Sequence, residues 1–320
     1  MNQDNNVTRT YAGVDVSKKQ LDCWKPATKN KGAACKGFEN NAKGIASLLR
    51  WIPEGAHVVL EATGCYGELL VAMCHNLGVP VSVVNPRSVR ELAKAHGHHA
   101  KTDRLDAELI ARFARAVNPK PAPRPTKAQR ALAAHVDLRE DMVSERTRHL
   151  CRLKSETDPS LLTILESQIS RLEQAIAAIE RQIDSLIASC TRMTAMRRQL
   201  RAIPGIGPVI SASLVALLPE LGTLSRKQTA ALCGLAPYAR DSGSRKGKRF
   251  ILGGRAKLRR RLYMGAVSAV KTRTPLAARH KAMVARGKPK KVSLIALARK
   301  LAIRANTLCK PLASIPYANH

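Results

Sequence analysis

The sequence is poor in acidic and aromatic side chains. Its 320 residues hold 23 Asp and Glu against 55 Lys and Arg, a formal net charge of +32, and only 3% of them are aromatic. The lack of aromatics predicts cores built of Leu, Ile, Val and Ala. The excess of positive charge indicates a polyanionic partner, of which nucleic acid is the commonest. It also means that the few carboxylates do not serve solubility.

Membrane and export signals are absent as well. No apolar run is long enough to span a bilayer, and the first ten residues, MNQDNNVTRT, are polar, so the sequence predicts neither a membrane protein nor a signal peptide. No amphipathic anchor or lipidation signal accompanies the positive charge. The eight cysteines form no C-x-x-C pair, which favours reduced thiols over a zinc site. We therefore expect a cytoplasmic protein without a membrane partner.

Four parts follow one another along the chain, with expected boundaries at 1–118, 119–126, 127–202 and 203–320. In the first part strands alternate with helices, which predicts a mixed α/β sheet covered by helices. Its expected strands are 11–17, 21–27, 57–61 and 80–84, and its expected helices are 42–51, 67–77, 86–96 and 102–117. The second part is rich in proline and is expected to be a stiff linker.

The third part is expected to be helical and carries one apolar stripe with alternating spacings of three and four residues. The stripe consists of Leu162, Leu165, Ile169, Leu172, Ile176, Ile179, Ile183 and Leu186. Such a seam is typical of a coiled coil, here expected between two copies of the chain. The alternative is that the stripe packs on its own domain. Asp158 is expected to cap this helix, with Pro159 in its first position.

The fourth part begins with IPGIGPVISASLVALL, a helix-hairpin-helix pattern. The turn at Gly205 and Gly207 would let backbone N–H groups approach a phosphate without interference from side chains. The only acids from residue 201 onward are Glu220 and Asp241. In this basic setting we interpret the turn as a sequence-independent contact to the DNA backbone.

Four carboxylates stand where strands end or where one helix starts. Asp15 lies in the strand-like YAGVDVSKKQLDCW, and Glu61 ends the strand HVVLE. Asp103 and Asp106 are three residues apart at the start of a helix and share one face. Carboxylates suit Mg²⁺, and two such ions about 4 Å apart could serve phosphodiester chemistry. Taken singly, the helical pair could be a cap and a dipole partner, and the strand glutamate a surface residue.

Other candidate ligands nearby are left out of this site. The neighbouring acids Asp22 and Glu68 are interpreted as surface residues. His96, His98 and His99 cluster just before the helical pair, but the soft ligands that zinc or copper needs are missing from their surroundings. These histidines are expected to line a nucleic-acid channel or to face solvent.

The segments GVDVSK, LEATG and KTDRLDAELIA resemble the N-terminal DEDD domain of a family of bacterial insertion-sequence transposases, the bridge-RNA-guided recombinases. The resemblance continues into IPGIGPV and CGLAPYARDSGSRKGKRFILGGRAKLRRRLYMGA and covers nearly the whole chain. It implies a RuvC-like, ribonuclease H-type fold for the first part, then a coiled-coil middle and a mainly α C-terminal domain with a helix-hairpin-helix. It also implies that Asp15, Glu61, Asp103 and Asp106 hold Mg²⁺.

The resemblance assigns a nucleophile to Ser242, which precedes a glycine in RDSGSRKGKRFILGGR. From the residues alone this loop could equally be a flexible phosphate-binding segment, and Ser244 has a similar setting. No histidine lies beside the serine to act as its base. Nucleic-acid contacts are expected from the basic residues in and after the loop, Arg245, Lys246, Lys248, Arg249 and Arg255.

The implied function is a transposase that moves its own insertion sequence through a covalent phosphoserine–DNA link. A guide RNA encoded by the element would pair with donor and target DNA in a prokaryotic nucleoid. The protein is expected to be a homo-oligomer, a dimer that pairs to a tetramer, in which the serine meets the acids of a partner subunit.

Three other functions stay open at the level of the sequence. A Holliday-junction-type nuclease would use the same carboxylates to activate water, without a serine. A sugar or acetate kinase has a first phosphate motif that GVDVSKKQLDCW also resembles, but it needs two further glycine-rich motifs. An architectural DNA-binding protein would need the acids only for its structure.

Overall fold

The computed structural model describes residues 10–27, 32–62, 64, 66–95, 103–239, 247 and 249–317, without the side chains of 103–105. The chain forms two compact units that meet in sequence between Arg124 and Pro125. None of the helices in these ranges combines the length and the hydropathy needed to cross a membrane.

The N-terminal unit contains a five-stranded sheet in the order β3-β2-β1-β4-β5. Its strands are β1 (Tyr11–Val16), β2 (Gln20–Lys25), β3 (Ala34–Glu39), β4 (His57–Glu61) and β5 (Val81–Val84). β1, β2 and β3 are antiparallel neighbours, whereas β4 runs parallel to β1 and β5 parallel to β4. The expected mixed α/β architecture is confirmed. The sequence did not indicate β3, because this edge strand buries only Phe38.

Helices cover both faces of this sheet. They are α1 (Ala42–Trp51), α2 (Glu68–Asn76), α3 (Pro86–Ala95) and α4 (Asp103–Val117), within one residue of the expected bounds at every end. One face of the sheet shares a core with α1 and α2, and the other with α3 and α4. The sheet is therefore buried on both faces, as parallel strands require.

The proline-rich stretch lies along the outer edge of β5. The N–H of Ala122 donates to the carbonyl oxygen of Val81 at 2.8 Å, and the hydroxyl of Ser82 donates to the carbonyl oxygen of Lys120 at 2.8 Å. Prolines suit an edge because they have no N–H to leave unpaired. Up to Arg124, the expected linker therefore covers an edge of the N-terminal unit.

The C-terminal unit is mainly helical around one core. Its elements are α5 (Lys127–Leu153), α6 (Pro159–Ala188), α7 (Thr191–Arg201), α8 (Pro208–Leu217), α9 (Arg226–Leu232), β6 (Pro237–Tyr238), β7 (Phe250–Ile251), α10 (Ala256–Lys271), α11 (Pro275–Ala285), α12 (Lys290–Cys309) and a 3-10 turn, Lys310–Leu312. Asp158 caps α6 as expected, and its carboxylate accepts hydrogen bonds from the N–H groups of Ser160 and Leu161. The Ser160 hydroxyl and these two N–H groups lower the pKa of Asp158.

The apolar stripe of α6 is covered by α5 of the same chain. Ile179 is 5% exposed, and Ile183 packs in one core with Leu132 and Val136 of α5. An ion pair of 2.6 Å joins Arg139 of α5 to Glu180 of α6. The two helices form an antiparallel hairpin, so the structure favours packing within one domain. It gives no support to the expected coiled coil between two chains.

Candidate active site

Two of the predicted carboxylates lie side by side at the carboxyl ends of neighbouring parallel strands. The pairing of β1 with β4 aligns Val14 with Leu60, so Asp15 and Glu61 follow in the same register. Neighbouring strands are about 4.8 Å apart, and residues in register on parallel strands project from the same face. The sheet therefore brings these two carboxylates together.

The alternation of side chains identifies the face on which they lie. Val14 and Leu60 belong to the core formed with α1 and α2, whereas Val59 packs with α3 and α4. Because successive side chains of a strand point to opposite faces, Asp15 and Glu61 are on the face covered by α4.

Asp22 extends this pair to a row of three carboxylates, although its place in the sequence suggested a surface residue. β1 and β2 pair antiparallel, with Asp15 directly opposite Asp22. Directly opposite residues share a face with their Cβ atoms about 5 Å apart, and like charges there destabilise a sheet. Nε2 of Gln20 donates to both carboxylate oxygens of Asp22, at 2.8 and 3.1 Å. The backbone N–H of Val16 likewise donates to Oδ1 of Asp15, at 3.0 Å.

α4 crosses this face in direct contact with the backbone of β1. A Cβ atom on Gly13 would lie 2.1 Å from the carbonyl oxygen of Ala107 and 2.7 Å from the nitrogen of Ala111. No other residue type fits a strand that a helix backbone approaches so closely. Gly13 thus sets the distance between α4 and the carboxylate row.

The direction of α4 places its first turn over the row. Oδ1 of Asn118, just beyond the helix, accepts a hydrogen bond of 2.6 Å from the hydroxyl of the tyrosine that begins β1, so helix and strand are antiparallel. A helix rises about 1.5 Å per residue and a strand about 3.3 Å. The two-residue step from Gly13 to Asp15 along the strand therefore has about the length of four helical residues. On the antiparallel helix these four residues lead from Ala107 back to Asp103.

Asp106 belongs to this first turn, with Asp103 three residues before it. Among the described side chains, which do not include that of Asp103, no group of three or more His, Cys, Asp or Glu could hold a metal ion. The row of strand carboxylates extends over two strand spacings, about 10 Å between the backbones of its two end residues. A complete metal site on this face would need the carboxylates of α4 above the middle of the row.

The predicted nucleophile lies outside the described residues. The same holds for Ser244, Arg245, Lys246, Lys248, His96, His98 and His99. Arg249 is described and exposed. Both ends of the serine loop are also described: β6 and β7 pair antiparallel, with Tyr238 opposite Phe250 and their ring centroids 6.4 Å apart. The segment that carries Ser242 therefore connects two paired antiparallel strands.

The backbone that flanks this pair of strands is tightly built. Gly234 and Gly254 have φ angles of +62° and +66°, and a Cβ on Gly254 would lie 2.2 Å from the nitrogen of Gly234. The guanidinium of Arg259 in α10 donates to the carbonyl oxygen of Gly253 at 2.7 Å. The loop thus begins and ends on backbone that is held between α9 and α10.

Arg255, which was expected to contact nucleic acid, is bound within its own unit. Its guanidinium donates two hydrogen bonds of 2.6 and 2.7 Å to the carboxylate of Glu220 and one of 3.1 Å to the carbonyl oxygen of Leu217. Burial acts to raise the pKa of Glu220, but the hydrogen bonds and the charge of Arg255 outweigh it and lower that pKa. This arginine ties the end of α8 to the start of α10, and its contact with nucleic acid stays a prediction.

The two glycines of the predicted DNA-binding turn differ in their surroundings. Gly205 has a φ of +90°, and a Cβ there would lie 2.4 Å from the carbonyl oxygen of Gly265 in α10. Packing therefore explains this glycine. Gly207 is the exposed N-cap of α8, and a Cβ there would have no atom within 4 Å. Only Gly207 leaves backbone open to a phosphate, and the helix-hairpin-helix itself stays a prediction.

Sequence reasoning missed three features of these sites, and two of them, the contact at Gly13 and the position of Asp22, could have been predicted. A glycine inside a buried strand, such as Gly13, marks a close approach of backbone. The position of Asp22 follows from the short turn after β1, where the N–H of Ser17 donates to the carbonyl oxygen of Gln20 at 2.9 Å. The pairing of Glu220 had no such signal, because its partner is 35 residues away.

Comparison with known proteins identifies the class and then the family. Residues 12–165 match a DEDD-type family described as Transposase, and residues 197–281 match the family described as Transposase IS116/IS110/IS902. The chain is thus a transposase, a class of DNA-processing enzymes. It is 33% identical over 314 residues to the pilin gene-inverting protein of Moraxella lacunata, which covers 92% of this chain and 94% of the relative.

A second relative agrees with the first. The pilin gene-inverting protein of Moraxella bovis is 32% identical over 313 residues, with the same coverage of both chains. Both relatives span the N-terminal sheet, the helical hairpin and the C-terminal unit. This chain therefore belongs to the IS110 family of transposases and recombinases, as the resemblance of its motifs predicted.

Proposed function

We propose that this transposase cuts and rejoins DNA through a serine nucleophile assisted by a divalent metal ion. The observation that carries the proposal is the register of β1 with β4, which aligns Asp15 with Glu61 beneath the first turn of α4. Strand-borne carboxylates facing a helical Asp-x-x-Asp are a suitable set of ligands for phosphodiester chemistry. The two relatives named for inverting a pilin gene support DNA recombination as the outcome.

The acids of the N-terminal unit are the proposed ligands of the ion. Carboxylate oxygens are hard donors that suit Mg²⁺, which we assign to Asp15, Glu61, Asp103 and Asp106. When bound, such an ion stabilises negative charge on the scissile phosphate and its leaving oxygen. The sheet with parallel β1, β4 and β5 is compatible with the RuvC-like fold implied by the resemblance.

The proposed nucleophile is Ser242. Its hydroxyl loses a proton and its Oγ bonds to phosphorus, while the bond from phosphorus to one sugar oxygen breaks and that oxygen takes up a proton. Attack by the hydroxyl of a second strand then releases the serine and forms a new DNA backbone. The basic residues of the loop, Arg245, Lys246, Lys248 and Arg249, would stabilise charge on the phosphate.

The test uses DNA that carries the element's own ends and a gel that separates covalent protein–DNA adducts under denaturing conditions. With Mg²⁺ present, Ser242→Ala should abolish the adduct, and the matched variant Ser244→Ala should retain it. If Ser242→Ala still cuts DNA like the wild type, the protein is a metal-dependent nuclease of the Holliday-junction type. If the wild type binds DNA without cutting it, the architectural function stands instead.

A guide RNA and a homo-oligomer complete the proposal. The net charge of +32 supports binding of nucleic acid but does not distinguish RNA from DNA. RNA that co-purifies with the protein should map to the non-coding end of the element when sequenced, whereas cellular RNA of random origin would oppose a guide.

Mixing of two inactive variants tests the shared active site that the resemblance implies. Asp15→Asn and Ser242→Ala are each expected to be inactive, and mixed oligomers should recover the adduct if a serine works with the acids of another subunit. No recovery, with mixing confirmed by differently tagged subunits, would indicate sites assembled within one chain.

A further inference from the structure

An open cavity of about 590 Å³ lies in the C-terminal unit beside the turn that follows α7. The turn contributes Ile203 and Pro204, and the other walls come from the start of α9 and from α11 and α12. We call it the α11–α12 pocket. It shares no residue with the serine loop or with the acids of the N-terminal unit.

Four cations line this pocket, and none of the described residues that line it is an acid. They are Arg226 on α9, Arg279 on α11, and Lys300 and Arg304 on α12, all exposed. Partial burial and the charge of Arg279 lower the pKa of Lys300. Lys300 and Arg304 are four residues apart on one helix, where like charges destabilise the helix. The fold thus concentrates positive charge here at a cost in stability.

Of the two acids beyond residue 201, only one is described, and it does not pair with these cations. Glu220 is bound to Arg255, and Asp241 lies outside the described residues. Other cations of the C-terminal unit have structural partners: Arg261 pairs with Glu140 at 3.2 Å, for example. Within the described part of the chain, no ion pair is found for the four cations of the pocket. They are therefore available for an external anion.

The inner wall of the pocket is apolar. Pro204 and Pro275, which are exposed, and Leu276, which is half-buried, line it beside the cations. A small inorganic anion would leave these side chains without a contact. A nucleotide within a strand matches both parts of the pocket. Its anionic phosphate suits the cations, and its sugar and base present less polar surfaces that suit the apolar wall.

We propose that the α11–α12 pocket binds the phosphodiester backbone of a nucleic-acid strand, with a phosphate on the four cations and the attached sugar and base against the apolar wall. The proposal rests on the proposed function only in that the chain acts on nucleic acid. It adds a binding site remote in sequence from the serine loop. DNA and RNA strands share the chemistry that the pocket recognises, and the experiment distinguishes them.

The experiment compares two variants that lose the same charge. The pocket variant carries Arg226→Gln, Arg279→Gln, Lys300→Gln and Arg304→Gln. The control variant carries Arg286→Gln, Lys288→Gln, Lys290→Gln and Lys291→Gln, which are exposed residues of the α11–α12 connection and of the first turn of α12. The affinity of the full chain for a labelled 30-nucleotide single strand, the corresponding DNA duplex and an RNA hairpin is measured by fluorescence anisotropy at several salt concentrations.

We expect the pocket variant to lose about 10²-fold in affinity for at least one probe. The slope of log K against log[salt] should also become less steep by the equivalent of about two to three phosphate contacts, at roughly 0.9 per phosphate for duplex DNA. The control should lose less than about fivefold, because its charges act only at long range. The probe most affected identifies the strand that occupies the pocket. Equal losses in both variants, or none in the pocket variant, would overturn the proposal.

A second measurement needs no substitution and so does not depend on folding of a variant. Acetylation of Lys300 and of Lys291 in the wild type is followed by mass spectrometry with and without the best-bound probe. Selective protection of Lys300 supports the pocket, and equal protection of both lysines contradicts it. If adduct formation persists while the pocket tests fail, the pocket is wrong and the proposed function stands. If the wild type binds no probe at all, both are wrong.

Discussion

The two units of the molecule hold their candidate functional groups in different ways. In the N-terminal unit, Asp15, Glu61 and Asp106 lie on two strands and a helix whose spacing is set by sheet hydrogen bonds and by contact at Gly13. In the C-terminal unit, Ser242 belongs to the segment that connects β6 to β7, and only the backbone that flanks this segment is described, tightly packed at Gly234 and Gly254. Groups that share a metal ion need positions accurate to a fraction of an ångström, whereas a nucleophile must reach a substrate strand.

The units also concentrate opposite charges. The sheet aligns three carboxylates across neighbouring strands, and the α11–α12 pocket gathers four cations. Like charges placed this close repel one another. The two arrangements are the grounds for the two proposed ligands, a divalent cation for the N-terminal unit and a phosphate backbone for the C-terminal one.

The largest effect should come from removing a charge in the carboxylate row. Glu61→Gln keeps the shape of the side chain and deletes a metal ligand, so the rate of DNA cleavage should fall about 10³-fold, equivalent to several kcal/mol of transition-state stabilisation. Binding of DNA should change little. Cleavage and binding are measured on the same DNA, with Glu54→Gln as an exposed control in the same unit. Equal activity of the two variants would remove Glu61 from the site.

The next largest effect should come from the packing of α6 against α5 in the C-terminal unit. Ile179→Ala leaves a cavity between α5 and α6 and should lower the free energy of unfolding by about 3 kcal/mol. Ile164 on the same helix is 56% exposed, so Ile164→Ala should cost less than about 0.5 kcal/mol. Denaturation at several protein concentrations is the measurement. Because the stripe packs within one chain, the effect of Ile179→Ala should not depend on concentration; a dependence would restore the coiled coil between chains.

A smaller loss is expected where α4 contacts β1. Gly13→Ala forces α4 away from the sheet and should cost about 2 kcal/mol by overpacking. It should also reduce cleavage, since the Asp103 and Asp106 turn moves with the helix. Gly32→Ala in the same unit is the control, because a Cβ there would have no atom within 4 Å. If both variants are equally stable and active, the close contact does not set the site.

The smallest effect concerns the pair of Glu220 with Arg255. The pKa of Glu220 is lower in the folded chain than its ordinary value of 4.5, so the pair stabilises the fold fully above that value and is lost as the pH falls through the folded-state pKa. Glu220→Gln should cost about 1.5 kcal/mol at pH 7 and less at pH 3. The exposed pair of Arg146 and Glu173 provides the control Glu173→Gln, expected to be nearly neutral. A cost that does not shrink on acidification would contradict this role of Glu220.

Local rules sufficed for much of the fold. The bounds of α1 to α4, the cap at Asp158 and strands β1, β2, β4 and β5 depend on side chains within a few residues of one another, so periodicity and capping chemistry predict them. β3 was missed because an edge strand with one buried residue has no such pattern. The order of the two strand-end acids, Asp15 and Glu61, also pointed to the edge where parallel strands end.

The sequence by itself determined which residues carry charge, which stripes are apolar and where α1 to α4 and α6 start. Only the tertiary structure decided which of them meet. It placed Asp22 in the carboxylate row, paired the α6 stripe with α5 of the same chain, and bound Arg255 to Glu220. The physical reason is that these contacts join segments remote in sequence, and their free energies depend on register, on the distance between packed backbones and on the exclusion of water. None of these is encoded in the spacing of neighbouring residues.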